Sequence, residues 1–85
     1  MIVIAYDVAN DKRLRKVAKF FEQRGIRVQK SVFELDMKKH EALKLCKEVL
    51  KYMDEGEDKL FVFNVTNKQD VLASTEFEGV FLWYM

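Results

Sequence analysis

The sequence predicts an α+β fold in a single small domain spanning residues 1–85. A chain of 85 residues leaves room for one hydrophobic core. Two segments carry apolar residues at the 3.6-residue spacing of amphipathic helices, and four other segments have the apolar, β-branched and aromatic character of strands. Because helical and strand segments are interspersed along the chain, we expect them to pack around the same core.

The first strand and the first helix are predicted from the first 25 residues. Residues 1–7 are apolar on both faces, as is usual for a central strand covered on both sides. Asn10 and Asp11 are candidates to cap the helix that follows. Gly25 is predicted to end that helix in the left-handed conformation. The apolar positions of the helix recur at i, i+3, i+4 and i+7: Leu14, Val17, Ala18 and Phe21.

The rest of the chain predicts strands on either side of a second helix. Residues 26–36 alternate between apolar and polar, with a change of register near Lys30 and Ser31 that fits a hairpin, a bulge or one kinked strand. The second helix is predicted over about 38–54, with Cys46 as a core thiol on its apolar stripe. Residues 59–66 and 77–85 predict two further strands, joined by a polar loop.

The predicted order, β-α-β-β-α-β with an extra C-terminal strand, indicates a ferredoxin-like sheet with both helices on one face. Three segments, 1–6, 60–65 and 80–85, are apolar on both faces, so the second face would be an exposed hydrophobic surface, which soluble monomers rarely tolerate. We therefore expect a homodimer that packs through this second face, with the tail 77–85 at the interface or paired with the partner. The alternative is a tail that lies within the sheet of a monomer.

Composition excludes several classes of protein. One cysteine cannot form an intramolecular disulfide or a cysteine-based zinc site, and no apolar run approaches the roughly 20 residues of a transmembrane helix. The first residues lack the basic start and the cleavage site of a signal peptide. We therefore expect a cytoplasmic protein with no membrane partner.

The net charge of +1 conceals an uneven distribution of charge. Residues 1–30 contain eight Lys/Arg and three Asp/Glu, which gives this part a charge of +5, whereas residues 31–85 carry −4. Most charged runs are simply solvated helix faces, but five of these bases fall between positions 12 and 19. Such a concentration favours contact with a nucleic-acid backbone.

Asp7 is the main candidate for chemistry. The chain lacks a phosphate-binding loop, a zinc-protease motif and a nucleophile elbow, and His40 is its single histidine, so a nucleophilic triad is not expected. Asp7 ends a buried strand beside the basic helix, and two copies across a dimer axis would suit Mg²⁺, which needs few protein oxygens. The ordinary alternatives are that Asp7 turns or caps the chain, and that Tyr6 is a buried aromatic with its hydroxyl at a rim.

A series of motifs resembles the CRISPR-associated protein 2 family over roughly residues 1–66. The series consists of Tyr6-Asp7 at the end of the first strand, a basic Arg-Leu-Arg helix from Arg13, and Arg-Val-Gln followed by Ser-Val-Phe-Glu from Arg27 to Glu34. Acidic residues at 54–58 then precede the next strand. Each motif alone is weak, whereas their combination and the chain length together are fairly specific.

The resemblance implies a ferredoxin-like homodimer with metal-dependent endonuclease activity on single-stranded RNA or double-stranded DNA. It implies that Asp7 binds one Mg²⁺ or Mn²⁺ between the subunits and acts with Tyr6 in catalysis. The same resemblance places Phe33 and Ser31 near that site. Bases on the first helix and the next strand would hold the nucleic-acid backbone: Arg13, Arg15, Lys16 and Arg27.

The same family implies a second role, in which the dimer is a non-catalytic bridge between two integrase dimers during spacer acquisition. The sequence does not choose between these roles. Two alternatives come from other classes, a toxin-type ribonuclease of similar fold and a regulatory ligand-binding module. The ligand-binding module ranks last because it would not need the basic helix, and the aromatic base-stacking signature of an RNA-recognition module is absent.

Overall fold

The computed structural model describes residues 1–64 and the backbone of residues 79–84. Two helices, one short 3₁₀ turn and five strands lie in these ranges, and every strand pairing is antiparallel. The predicted loop at 67–75 lies outside the described residues. The elements in chain order are β1 (Ile2–Asp7), α1 (Asp11–Glu22), β2 (Ile26–Gln29), β3 (Val32–Leu35), α2 (Lys39–Val49), a 3₁₀ turn (Leu50–Tyr52), β4 (Lys59–Asn64) and β5 (Gly79–Tyr84).

The sheet has the strand order β2-β3-β1-β4-β5, which is the ferredoxin-like arrangement with one strand added beside β4. The central position of β1 confirms the prediction from its two apolar faces. The backbone of β5 pairs with β4 of the same chain along its full length, from Lys59 opposite Tyr84 to Asn64 opposite Gly79. The extra C-terminal strand is therefore confirmed, and it lies at the edge of the sheet.

The segment 26–36 is a hairpin rather than one kinked strand. Strands β2 and β3 pair with each other, and the turn between them falls at Lys30 and Ser31. Their register shifts between Arg27 and Gln29, so the irregularity seen in the sequence is a break in the pairing near the turn. The hairpin thereby keeps Phe33 buried in the core while its outer strand stays exposed.

Helix α1 begins as predicted but ends differently. The Asn10 side chain accepts a hydrogen bond from the Arg13 backbone N–H at 3.0 Å, so Asn10 is the cap. The prediction of a left-handed Gly25 is wrong, because its φ lies outside that region and the helix ends in right-handed geometry at Gln23. Glycine is needed here for space, since a Cβ would overlap the carbonyl oxygen of Glu34 in the neighbouring strand.

Both helices pack on one face of the sheet, as predicted. The core on this face joins Ile2, Ile4 and Tyr6 of β1 to Phe21 of α1. The predicted stripe of α2 is also buried there, and burial raises the pKa of the Cys46 thiol to about 12. Helix α2 is shorter than predicted, because the chain tightens into the 3₁₀ turn after residue 49.

The second face of the sheet carries an apolar patch among the described residues. Val3 is buried there, and its neighbours are half-buried, including Val28, Val32 and Phe63. The Phe61 and Phe63 rings stack with their centres 6.5 Å apart. No helix in residues 1–64 covers this face, which is the arrangement that the excess of apolar residues predicts.

Candidate functional site

Asp7 lies at the end of β1 on the second face of the sheet, and it is exposed. Alternation along the strand gives it the same face as Val3 and Ala5, and Lys59 of β4 is its cross-strand neighbour. Within residues 1–64, no group of three or more histidine, cysteine or carboxylate side chains could hold a metal ion. Among the described residues, Asp7 is therefore an exposed carboxylate that belongs to no larger group of metal ligands within one chain.

Tyr6, the neighbour of Asp7, faces the helices. Its ring stacks between Phe21 and Phe33, with ring centres 5.9 and 6.2 Å away. The hydroxyl oxygen is buried and has no hydrogen-bond partner among the described residues. Burial raises the pKa of Tyr6, while the nearby Arg27 guanidinium opposes this with a smaller effect, through its N–H donors and its positive charge. The hydroxyl is thus a neutral, buried donor, and leaving such a group unpaired costs about 1–3 kcal/mol.

Adjacent residues of a strand point to opposite faces, so the structure separates the two predicted catalytic side chains. Tyr6 belongs to the core beneath the helices, whereas Asp7 is exposed on the other face. Phe33 and Ser31 lie on the Tyr6 side: Phe33 is fully buried against the tyrosine ring, and the Ser31 carbonyl accepts the Tyr6 backbone N–H at 3.2 Å.

Arg13 is held by Asp58, a residue that the sequence reasoning did not single out. The Arg13 Nε donates to Asp58 Oδ2 at 2.9 Å, and Nη2 donates to Oδ1 at 3.3 Å. Asp58 is 2% exposed and also accepts the backbone N–H groups of Ala9 at 3.0 Å and Asp54 at 2.7 Å. Burial alone would raise the pKa of Asp58, but these hydrogen bonds outweigh it and hold the pKa below its usual value.

The Arg13–Asp58 contact joins the start of α1 to the turn before β4. Asp58 could not be found from the sequence, because it is one of four acids between positions 54 and 58 and nothing in their spacing separates it from the others. Its only signal is its place directly before a buried strand. Arg13, predicted to bind nucleic acid, is therefore committed first to holding the fold together.

The other bases of α1 form an exposed row, which we call the basic face. Arg15 and Lys16, both predicted to bind nucleic acid, are exposed, and they have no carboxylate within ion-pair distance in the described part of the chain. The same is true of their neighbours on this helix: Lys12 and Lys19. The basic face is therefore available to phosphate groups.

Arg27 lies in β2, the outer strand of the hairpin, and faces the helix side of the sheet, beside the end of α1. Its Nη1 forms an ion pair with Glu22 Oε1 at 3.2 Å, and its guanidinium carbon lies 5.1 Å from the centre of the Phe33 ring. Arg27 also lines a cavity of about 440 Å³ between α1 and the hairpin, together with Tyr6 and Arg15. Glu22 is a second residue that sequence reasoning missed.

The fold and these side chains define a small ferredoxin-like α+β protein with a basic helix face and an exposed carboxylate at the end of its central strand. Comparison with known proteins then identifies its family. The family model for CRISPR associated protein Cas2 matches residues 1–71, and the chain belongs to this family. The resemblance seen in the sequence is thereby confirmed.

Individual relatives agree with this assignment. The chain is 42% identical over 60 residues to a protein of Synechocystis sp. named CRISPR-associated endoribonuclease Cas2 3, a match that covers 71% of this chain and 65% of that relative. It is 38% identical over 72 residues to a protein of Halalkalibacterium halodurans named CRISPR-associated endonuclease Cas2, with 79% and 75% covered.

Solved structures share the fold. A hypothetical protein, TT1823 from Thermus thermophilus, has a TM-score of 0.71 and 32% identity, with 78% of this chain and 80% of that chain covered. The crystal structure of Streptococcus pyogenes Cas2 at pH 6.5 has a TM-score of 0.67 and 29% identity, with 88% of this chain and 95% of that chain covered.

None of the helices in residues 1–64 has the length and hydropathy of a membrane span.

Proposed function

We propose that this protein is a metal-dependent endonuclease on RNA or double-stranded DNA that works in the cytoplasm as a homodimer. The observation that carries the proposal is Asp7, an exposed carboxylate at the end of an otherwise buried central strand. The basic face of α1 supports binding of the phosphate backbone, and the relatives named above are called endonuclease or endoribonuclease.

The side chains present fit Mg²⁺ or Mn²⁺ only as a shared site. One carboxylate per chain is few for a metal site, but Mg²⁺ commonly takes one or two carboxylates and fills its shell with water and phosphate oxygens. Two copies of Asp7 facing each other would supply that number. When bound, the metal would lower the pKa of a coordinated water and offset charge on the phosphate undergoing attack. Asp7 would hold it, and the bases would orient the strand.

The homodimer is proposed through the second face of the sheet. Two aromatic side chains, Phe61 and Phe63, are half-buried on this face beside Val3, and Asp7 lies at its end. Packing two such faces together would bury apolar surface and bring the two carboxylates toward one axis. Light scattering at micromolar concentration is expected to give the mass of two chains, and a monomer would contradict the proposal.

The test of the endonuclease is cleavage of single-stranded RNA and double-stranded DNA with Mg²⁺, with Mn²⁺ and with a chelator. We expect Asp7→Asn to abolish the cleavage that depends on metal, because it removes the carboxylate charge and keeps the shape. Asp11→Asn is the matched control, since Asp11 is an exposed carboxylate four residues away at the start of α1. Equal rates for wild type and Asp7→Asn would refute the assignment and indicate a contaminating nuclease.

A second candidate function is the non-catalytic bridge between integrase dimers in spacer acquisition, within CRISPR antiviral defence. The observation that favours it is the separation of the basic face on α1 from Asp7 on the second face of the sheet, since DNA can then be held without the carboxylate. In this role Asp7→Asn would bind duplex DNA as well as wild type does. It would also co-purify with a CRISPR-associated integrase expressed together with it, whereas loss of both properties would exclude the bridge.

A further inference from the structure

We propose that the cavity between α1 and the β2–β3 hairpin is a phosphate-binding site in which Glu22 occupies the ligand's place when no ligand is bound. The cavity has a volume of about 440 Å³, which is large enough for a phosphate group with part of its nucleotide. Its wall includes four basic residues and one acid: Arg15, Lys19, Arg27, Lys30 and Glu22. This excess of positive charge favours an anion.

The inner wall of the cavity supplies a donor without a partner. Tyr6 lines the cavity and is 4% exposed, and its O–H has no acceptor among the described residues, because the nearby Arg27 guanidinium carries only donors. Buried polar groups are nearly always paired, so an unpaired hydroxyl beneath a basic cavity indicates a missing acceptor. A phosphate oxygen is the acceptor that suits both the hydroxyl and the surrounding bases.

Glu22 provides the negative charge that the cavity otherwise lacks. Its Oε1 lies 3.2 Å from Nη1 of Arg27, in the kind of contact that a phosphate oxygen would make with the same guanidinium. The two side chains are 49% and 44% exposed, so this ion pair is weak and readily exchanged for another anion. Arg27 stays in place during the exchange because it also lies over the Phe33 ring.

The inference rests on the proposed function for the identity of the ligand, a phosphate group of a nucleic acid. The site is distinct from the Asp7 carboxylate, because Tyr6 and Asp7 point to opposite faces of the sheet. The phosphate could be an internal backbone group or the terminal group of a cleaved strand. Both present phosphate oxygens to the bases, but a terminal monoester carries more negative charge than an internal diester, and the two lie at different places along the strand.

The experiment has two parts. The first measures binding of inorganic phosphate by NMR titration of the Arg27 side-chain N–H signals. The second measures binding of fluorescent duplex DNA that carries either a 5′-phosphate or a 5′-hydroxyl. We expect Glu22→Gln to tighten both kinds of binding about three- to tenfold, because a like charge is removed and Arg27 is released. We expect Tyr6→Phe to weaken both about three- to tenfold, the effect of one hydrogen bond. Glu55→Gln is the matched control, an exposed carboxylate that does not line the cavity.

Opposite changes in affinity for Glu22→Gln and Tyr6→Phe support the site, since a merely structural role would not give them opposite signs. A preference for the 5′-phosphate identifies a terminal group, and equal affinity identifies the backbone. Unchanged affinities in both variants would overturn the inference, while DNA binding by the wild type would still support the proposed function. If no variant binds DNA, the proposed function fails, and the phosphate titration alone then decides whether the site exists.

Discussion

Replacing Asp58 with asparagine tests whether one buried carboxylate joins α1 to the rest of the fold. Each oxygen of Asp58 accepts two hydrogen bonds: Oδ1 from Ala9 and Arg13, and Oδ2 from Asp54 and Arg13. An asparagine keeps one acceptor and turns an NH₂ group toward the other two donors, so at least one backbone N–H loses its partner. We expect a loss of about 2–4 kcal/mol in the free energy of unfolding.

Thermal and urea denaturation at pH 7 measure this loss. For a chain of this size each kcal/mol shifts Tm by about 4–8 °C, so the expected change in Tm is large. Glu57→Gln is the matched control, because Glu57 also faces Arg13, but at 3.8 Å and with 61% of its side chain exposed. This variant is expected to stay within about 0.5 kcal/mol of the wild type.

The pH dependence gives an independent check. The pKa of Asp58 is lower in the folded state than its ordinary value of 3.8, so the carboxylate stabilises the fold above that pH. This stabilisation is lost as the pH falls through the folded-state pKa, where Asp58 takes up a proton. The wild type and Asp58→Asn should therefore approach each other in stability below about pH 4. A variant as stable as the wild type at pH 7, or a difference that persists unchanged in acid, would refute the reasoning.

Three further predictions concern the backbone, the thiol and the basic face. Gly25→Ala should cost about 1–3 kcal/mol in urea denaturation, because its Cβ would overlap the Glu34 carbonyl, whereas Gly56→Ala, whose Cβ would make only an ordinary contact with Asp54 at 3.6 Å, should cost less. Cys46 should react with a thiol reagent only on unfolding, since it is buried with a pKa of about 12; fast reaction of the native protein would contradict its place in the core. The double variant Arg15→Glu, Lys16→Glu should lower the slope of log affinity for DNA against log salt concentration by about one to two. An unchanged slope would exclude the basic face as the DNA-binding surface.

Most of the fold could be predicted from the sequence because its signals are periodic. The two apolar faces of residues 1–7 placed β1 at the centre of the sheet, and the stripe through Cys46 gave the buried side of α2. The end of α1 was not predicted correctly because a glycine can provide either backbone freedom or lack of bulk. The sequence around Gly25 does not show which of the two is needed there. The hairpin at 26–36 needed the structure, since a register break fits a turn and a bulge equally well.

The candidate site was less predictable, because it depends on contacts between residues far apart in the chain. Asp58 and Arg13 are 45 residues apart, and only the folded chain brings them together. Alternation along a strand would have separated Tyr6 from Asp7 on the sequence alone, but their adjacency in a shared motif suggested one site. Glu22 gave no signal, since an acid at the end of a basic helix has no evident role until Arg27 is seen beside it.

The ion pairs change how the basic first third of the sequence should be interpreted. Arg13 is bound to Asp58 and Arg27 to Glu22, so neither contributes its full charge to a surface. Reversing the charge of Arg13 would break the contact with Asp58 and confuse unfolding with loss of binding. Arg15 and Lys16 have no such carboxylate among the described residues, so these two bases can be replaced without breaking an ion pair of the fold. We therefore expect affinity for a nucleic-acid backbone to depend first on the exposed side of α1, while Arg13 fixes the start of that helix and Arg27 of β2 borders the adjoining cavity.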